Sequence, residues 1–165
     1  MLSCYDAGFA KMMALAGVES ILVGDSLGMV VQGENSTLPV NLAAMIYHTQ
    51  NVVRGNQTAF IITDLPFGSY EAGGEVAFQS AVELIKAGAE MVKIEGDADF
   101  APITEFLVKR SIPVCAHIGL LPQEVNNLGG YRVQGRDESA AERLIQDAIA
   151  HEKAGAGMLV IECVP

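Results

Sequence analysis

One short unit recurs along this chain: a helix-like stretch ends in Ala-Gly, and an apolar run follows within a few residues. The Ala-Gly pairs are Ala16-Gly17, Ala87-Gly88 and Ala154-Gly155. Glycine just past a helix adopts the left-handed conformation that closes it. The apolar runs are unbroken, which is typical of parallel strands covered on both faces. The repeat therefore predicts an α/β fold with a parallel sheet.

Turn signals and apolar runs divide the chain into expected elements. Strands are expected at 2–5, 20–24, 60–63, 91–95, 114–118 and 158–162. Helices are expected at 6–16, 41–54, 75–87, 99–110 and 138–154. Asn41 is a suitable N-cap, and Pro102 falls in a first turn, where a missing N–H is tolerated. A long polar loop is expected up to Pro39, and a glycine-rich loop up to Gly135.

Two architectures fit this alternation, a (β/α)₈ TIM barrel and an open doubly wound sheet. A doubly wound dinucleotide fold would carry GxGxxG after its first strand, where this chain has Asp6-Ala7-Gly8. Polar residues instead follow almost every strand, which is where a barrel keeps its active site. We therefore expect a single domain over residues 1–165, an incomplete TIM barrel with about six of the eight βα units and the last two absent.

Charge and cysteine content restrict the partners and the compartment. The net charge of −10 and pI near 4.6 disfavour nucleic acid. No apolar run reaches the ~18 residues of a membrane span, and no basic segment precedes an apolar one as in a signal peptide. Cys4, Cys115 and Cys163 are odd in number and lack CxxC spacing, so they are expected to be small buried side chains in a reducing compartment. These features predict a cytoplasmic protein.

Three acids end expected strands: Asp25, Asp64 and Glu95. In a parallel barrel such ends form one ring, where unpaired carboxylates would repel one another. A hard cation relieves that repulsion, and carboxylate oxygens without a Cys or His cluster favour Mg²⁺ or a similar ion. The alternative is that each Asp only caps a helix or turn.

Four further side chains stand near strand ends. Lys93 and Glu95 are two apart on a strand and share a face, as a buried ion pair or as working groups. Glu162 follows an apolar run, so burial is expected to raise its pKa into the range of a general base, unless it caps a helix or faces solvent. His117 is either a core histidine or part of the site. Ser26, in a loop with two glycines, could donate a hydrogen bond to a carboxylate.

Six blocks carry a closer resemblance to a known family. They are Leu-Val-Gly-Asp-Ser-Leu-Gly-Met (22–29), Ser-Thr-Leu-Pro-Val (36–40), Asp-Leu-Pro-Phe (64–67), Met-Val-Lys-Ile-Glu-Gly (91–96), Gly-Gly-Tyr-Arg-Val-Gln-Gly (129–135) and Glu-Cys-Val-Pro (162–165). In order and spacing they resemble ketopantoate hydroxymethyltransferase. A minor departure is Leu121, where the family commonly has Thr.

The resemblance implies a barrel of the phosphoenolpyruvate/pyruvate superfamily. It implies an enzyme that transfers a hydroxymethyl group from 5,10-methylenetetrahydrofolate to 3-methyl-2-oxobutanoate, forming 2-dehydropantoate in pantothenate and coenzyme A synthesis. By the same resemblance, Asp25, Asp64 and Glu95 hold Mg²⁺ or a similar cation, and Glu162 is the proton acceptor. The 2-oxo acid contacts are Asp25, Ser26, Asp64 and Lys93, with His117 assisting. The family assembly is a homodecamer.

Two other hypotheses also fit the sequence. A chain without two βα units could be a catalytically inactive fragment that docks through open sheet edges. A carbon–carbon lyase of the same superfamily is the other, although such lyases usually carry a Cys acid on a mobile loop, which this sequence lacks.

Overall fold

The computed structural model describes the backbone of residues 1–165 and every side chain except that of Leu128. The contacts divide the chain into two compact units, Met1–Val92 and Lys93–Pro165. The first unit contains three complete strands and four helices, and the second contains two complete strands and three helices. One further strand runs through the point of division.

The strands are β1 (Leu2–Ser3), β2 (Ser20–Val23), β3 (Phe60–Asp64), β4 (Met91–Glu95), β5 (Val114–Gly119) and β6 (Met158–Glu162). The α-helices are α1 (Ala7–Leu15), α2 (Leu27–Val30), α3 (Leu42–Gly55), α4 (Gly74–Ala87), α5 (Ala101–Val108), α6 (Val125–Leu128) and α7 (Glu138–Lys153). Two 3-10 turns, Ala98–Phe100 and Pro122–Glu124, precede α5 and α6.

In the first unit, β1 pairs in parallel with β2, and β2 with β3. The backbone N–H of Glu90 donates to the carbonyl of Ile61 at 2.8 Å, so β3 also neighbours the start of β4. The strands thus follow one another in the sheet in chain order. A doubly wound sheet reverses its order part-way, so this neighbour relation excludes the alternative architecture.

Helix α3 packs against the start of α1 in the first unit. A Cβ on Gly55 would overlap the backbone of Ala7, so only glycine permits this approach. Asn41 caps α3 by accepting from the N–H of Ala44 at 2.9 Å, and Asp6 caps α1 by accepting from Phe9 at 2.9 Å. The apolar core of this unit lies between the helices and β2 and β3, where Ile21, Val23 and Ile62 are fully buried.

In the second unit, β5 pairs in parallel with β6, with Gly119 opposite Glu162. The N–H of Gly96, just past β4, donates to the carbonyl of His117 at 3.2 Å, so the end of β4 neighbours β5. All of β4 and most of β5 are buried, but four of the five residues of β6 are exposed. Strand β6 has a partner on one side only, which accounts for that exposure.

The expected alternation and parallel pairing are confirmed, and the bounds of β4 and β6 match the prediction. The expected helix stops at Gly88 and Gly155 are also confirmed, since both have positive φ. Two short helices, α2 and α6, lie where only loops were predicted. The prediction that all three cysteines are buried is wrong for Cys163, which is exposed and follows the outer strand β6. Among the described residues, no helix is both long and apolar enough to cross a membrane.

Candidate functional site

Asp25 and Asp64 lie together at the carboxyl ends of β2 and β3. Because Val23 stands opposite Thr63 in the parallel register, the residues that follow these two positions reach the same edge of the sheet. Asp25 is 3% exposed and Asp64 is 2% exposed. The backbone N–H of Asp25 donates to Oδ2 of Asp64 at 3.0 Å. The two predicted ligands are therefore adjacent, and we call them the carboxylate pair.

Gly24 lies close against Asp64 and Ser26. A Cβ at Gly24 would lie 3.4 Å from Oδ2 of Asp64 and 2.8 Å from the hydroxyl of Ser26. The Ser26 hydroxyl is 2.8 Å from the phenol oxygen of Tyr5. Two hydroxyls and two carboxylates thus gather in this part of the first unit, as the sequence predicted for Asp25, Ser26 and Asp64.

The second unit brings together the other four predicted residues, Lys93, Glu95, His117 and Glu162, which we call the Lys93 network. Nζ of Lys93 lies 3.3 Å from Oε1 of Glu95 and 3.0 Å from Nδ1 of His117. Nδ1 of His117 is also 3.2 Å from Oε1 of Glu95. Its Nε2 lies 3.3 Å from Oε2 of Glu162, an ion-pair distance without hydrogen-bond geometry. The expected shared face of Lys93 and Glu95 is confirmed, with the two as an ion pair.

The contact between Lys93 and His117 limits how many protons the two side chains can carry together. Two nitrogens 3.0 Å apart need a lone pair on one of them, so an ammonium and an imidazolium cannot both occupy this contact. With a Lys93 ammonium, Nδ1 of His117 accepts from Lys93 and the ring hydrogen lies on Nε2, 3.3 Å from Oε2 of Glu162. The pair can therefore hold one proton in either of two places.

The electrostatics of the Lys93 network follow from burial and charge. Burial alone would raise the pKa of Glu95, but Lys93 and His117 more than offset it, so the pKa lies below its ordinary value. Burial and the Lys93 charge lower the pKa of His117, while Glu162 and Glu95 raise it, and its pKa ends above the ordinary value. The second oxygen of Glu95 accepts from the N–H of Gln123 at 3.0 Å.

Glu162 is not buried, contrary to expectation. Its side chain is 46% exposed, because β6 is the outer strand of the sheet. The end of β5 fixes its backbone instead: the N–H of Leu120 donates to the Glu162 carbonyl at 2.9 Å. Gly119 has a φ of 94°, and a Cβ there would overlap that carbonyl, so glycine is required.

The carboxylate pair suits a hard cation. Mg²⁺ in proteins is commonly held by one or two carboxylates, with water and substrate oxygens completing its shell. Two adjacent buried aspartates meet that description. Among the described residues no group of three or more His, Cys, Asp or Glu is arranged to hold a metal. The assignment of Glu95 as a third ligand therefore stays a prediction.

Comparison with known proteins decides the family. The sequence model of the family described as ketopantoate hydroxymethyltransferase matches residues 1–165. The chain belongs to the ketopantoate hydroxymethyltransferase family. Its resemblance in six short blocks thus extends over its whole length.

Curated members of the ketopantoate hydroxymethyltransferase family are similar throughout. A protein of Nitrosospira multiformis named 3-methyl-2-oxobutanoate hydroxymethyltransferase is 59% identical over 165 residues, which are 100% of this chain and 63% of that protein. One of Pseudomonas entomophila, named 3-methyl-2-oxobutanoate hydroxymethyltransferase 2, is 59% identical over 100% of this chain and 62% of its own length. The chain therefore spans about three-fifths of the length of these relatives.

Solved structures confirm the fold. A 2,3-dimethylmalate lyase of the PEP mutase/isocitrate lyase superfamily superposes with a TM-score of 0.66 at 19% identity, over 98% of this chain and 55% of the lyase. A phosphonopyruvate hydrolase, solved with oxalate and Mg²⁺, gives a TM-score of 0.71 at 14% identity, over 98% of this chain and 56% of the hydrolase. The expected barrel fold is thereby confirmed, with the chain corresponding to part of such a fold.

Some side chains of these groups were not predicted to take part. Tyr5 was noted only as a strand end, and its contact with Ser26 depends on the register of β1 and β2. Gly119 and the N–H of Gln123 act through the backbone, which gives no signal in side-chain chemistry. For Gly119, glycine at the end of an apolar run was the one available sign.

Proposed function

We propose that this chain catalyses hydroxymethyl transfer from 5,10-methylenetetrahydrofolate to 3-methyl-2-oxobutanoate, forming 2-dehydropantoate for pantothenate and coenzyme A synthesis. The observation that carries the proposal is the 57–59% identity, over essentially the whole chain, to proteins named for this transfer. The carbon–carbon lyases share only the fold, at 19% identity. The two polar groups at the strand ends supply residues suited to the reaction.

The carboxylate pair is proposed to hold Mg²⁺ or a similar divalent cation. When bound, such a cation polarises the keto oxygen of a 2-oxo acid and stabilises the negative charge of its enolate. Asp25 and Asp64 would supply the protein oxygens, with Glu95 as the predicted third. Ser26 would donate a hydrogen bond to the acid. The phosphonopyruvate hydrolase that was solved with oxalate and Mg²⁺ supports this reading at the level of the fold.

Proton transfer is assigned to the Lys93 network. The C3–H bond of the oxo acid breaks, its proton passes to the Glu162 carboxylate, and its electron pair forms the enolate. C3 then forms a bond to the methylene carbon delivered by the folate. Both carbon–nitrogen bonds of that carbon break, and water supplies the hydroxyl oxygen. The folate nitrogens take up two protons, one from water and one from Glu162, so that tetrahydrofolate leaves. A half-exposed carboxylate is open to a small molecule, and Nε2 of His117 lies 3.3 Å from one of its oxygens. Lys93, which is 3% exposed, places a positive charge that offsets the charge of the bound acid.

Exchange of the C3 proton tests this assignment without the folate. The loss of that proton from 3-methyl-2-oxobutanoate in D₂O with MgCl₂ is followed by proton NMR. Glu162→Gln should slow exchange by about 10²–10⁴-fold, the usual contribution of a general base. The matched control is Glu152→Gln, because Glu152 is exposed on α7. Mg²⁺ affinity, measured by calorimetry, should not change in either variant.

Two outcomes would contradict the proposal in different ways. Unchanged exchange in Glu162→Gln would remove Glu162 as the base but leave the reaction in place. A folded unsubstituted chain that exchanges no C3 proton would favour the inactive-fragment alternative. Addition of 5,10-methylenetetrahydrofolate to an active chain then tests the donor, with 2-dehydropantoate as the expected product.

Assembly and location are also proposals. The family suggests a homodecamer, which light scattering after size exclusion would test. The three free cysteines, Cys4, Cys115 and Cys163, support a reducing compartment and hence the cytoplasm.

A further inference from the structure

We propose that Tyr5 is a positioning residue: its phenol donates to the Ser26 hydroxyl, which donates its own hydrogen to the carboxylate of the 2-oxo acid. This inference rests on the proposed function and assigns a role to a residue outside the predicted site. The two oxygens are 2.8 Å apart, although Tyr5 and Ser26 are 21 positions apart in sequence. A distance of 2.8 Å between hydroxyl oxygens is that of a well-formed hydrogen bond.

Counting protons shows what this pair can offer. Two hydroxyls carry two hydrogens, and the bond between them uses one, whichever oxygen donates. The other hydrogen remains available to an acceptor outside the pair. A hydroxyl that accepts one hydrogen bond is polarised and becomes a stronger donor in the next. The pair is therefore a single, strengthened donor, which suits an anionic oxygen.

The backbone of Tyr5 is fixed on both sides. The N–H of the preceding Cys4 donates to the carbonyl of Leu22 at 2.9 Å, which extends the pairing of β1 with β2. The Tyr5 carbonyl lies 2.7 Å from Nδ1 of His48, and a carbonyl can only accept, so Nδ1 carries the hydrogen. Asp6, the next residue, caps α1. These contacts hold the Tyr5 main chain in place, so that little further ordering is needed when the ring meets Ser26.

The hydroxyl hydrogen that remains available lies close to the carboxylate pair. The position that a Cβ of Gly24 would take is 2.8 Å from the Ser26 hydroxyl and 3.4 Å from Oδ2 of Asp64. Two buried aspartates repel an incoming carboxylate, so a substrate with a free carboxylate needs donors beside its cation. The hydroxyl pair supplies such a donor. It should therefore favour 2-oxo acids over ketones without a carboxylate.

The test compares two Tyr→Phe substitutions that each remove one hydroxyl and keep the ring. Tyr5→Phe breaks the pair, whereas Tyr47→Phe on α3 is the control, since Tyr47 is 60% exposed. Calorimetry measures the Kd of 3-methyl-2-oxobutanoate in MgCl₂. We expect Tyr5→Phe to weaken binding about tenfold, the low end for a hydrogen bond to a charged group, and Tyr47→Phe less than about twofold. The rate of C3 exchange at saturating oxo acid should change much less than the Kd.

A double-variant cycle separates positioning from simple structural support. If Tyr5 acts through Ser26, the Tyr5→Phe/Ser26→Ala chain should bind no more than about twofold more weakly than Ser26→Ala alone. Additive losses accompanied by a lower Tm would overturn the inference. So would a Tyr5→Phe chain that binds as the unsubstituted chain does, and in that case the proposed function stands. An unsubstituted chain that binds no 2-oxo acid at all would overturn both.

Discussion

The histidine at position 151 should contribute strongly to the stability of the second unit. It is fully buried on α7, and its Nε2 lies 3.1 Å from the carbonyl of Gly96 and 3.0 Å from that of Asp97. Its Nδ1 is 3.0 Å from the hydroxyl of Thr104 on α5. Since carbonyls only accept, Nε2 carries a hydrogen, and in a neutral ring Nδ1 accepts from Thr104. One ring therefore joins α7 to α5 and to the loop after β4.

The cost of His151→Leu can be estimated from these contacts. Leucine fills a similar volume but removes both nitrogens, which leaves the Thr104 hydroxyl and two carbonyls without this partner. A buried polar group that loses its partner costs about 1–3 kcal/mol. Three polar groups lose their partner, but the two carbonyls share one N–H and the surroundings can relax. Each group should therefore cost near the lower end of that range, and we expect a total loss of about 3 kcal/mol in the free energy of unfolding. For a chain of this size, that corresponds to a fall in Tm of about 6–12 °C.

Urea unfolding followed by circular dichroism measures this, because the chain has no Trp to report by fluorescence. The Thr104→Val substitution supplies the control, since valine matches threonine in shape. Alone it should cost about 1–2 kcal/mol, because it removes the hydrogen bond to His151. In the His151→Leu background it should cost nothing or stabilise, because the hydroxyl has already lost its partner. Equal costs of Thr104→Val in both backgrounds, or a loss under about 1 kcal/mol for His151→Leu, would refute the reasoning.

Two further predictions test the carboxylate pair and the cysteines. Gly24→Ala should weaken Mg²⁺ binding at least about tenfold by calorimetry, because the new Cβ would stand 2.8 Å from the Ser26 hydroxyl and 3.4 Å from Oδ2 of Asp64; unchanged affinity in a folded variant would contradict the placement of the cation. A disulfide reagent at neutral pH should modify Cys163 quickly and the buried Cys4 and Cys115 only after urea is added. Burial, above all, raises the pKa of Cys4, which lowers its reactive thiolate fraction further. Three fast thiols in the folded chain would contradict this.

Elements with a clear start and stop could be predicted from the sequence. Gly88 ends the helix before β4, and Glu95 is the last residue of the strand. The bounds of β4 match the prediction because turn chemistry is local. The four-residue helix α2 could not be predicted, since one turn is too short to show a helical period. Burial depends on neighbours far along the chain. The apolar run before Glu162 therefore predicted a buried side chain, whereas β6 is an outer strand.

For the candidate site, residue types could be predicted but contacts across strands could not. The period of two along a strand placed Lys93 and Glu95 on one face, and the structure pairs them at 3.3 Å. The approach of His117 to Glu162 depends on the register that sets Gly119 opposite Glu162. No local pattern encodes that register. The same holds for Tyr5 and Ser26.

The structure also changes the argument for a metal. Three strand-end acids were expected to repel one another until a cation joined them. Glu95, however, has the Lys93 ammonium 3.3 Å from one oxygen and the Gln123 N–H 3.0 Å from the other. A buried carboxylate compensated in this way needs no divalent cation to be stable. The physical case for Mg²⁺ therefore rests on Asp25 and Asp64, which the N–H of Asp25 holds side by side at the ends of β2 and β3.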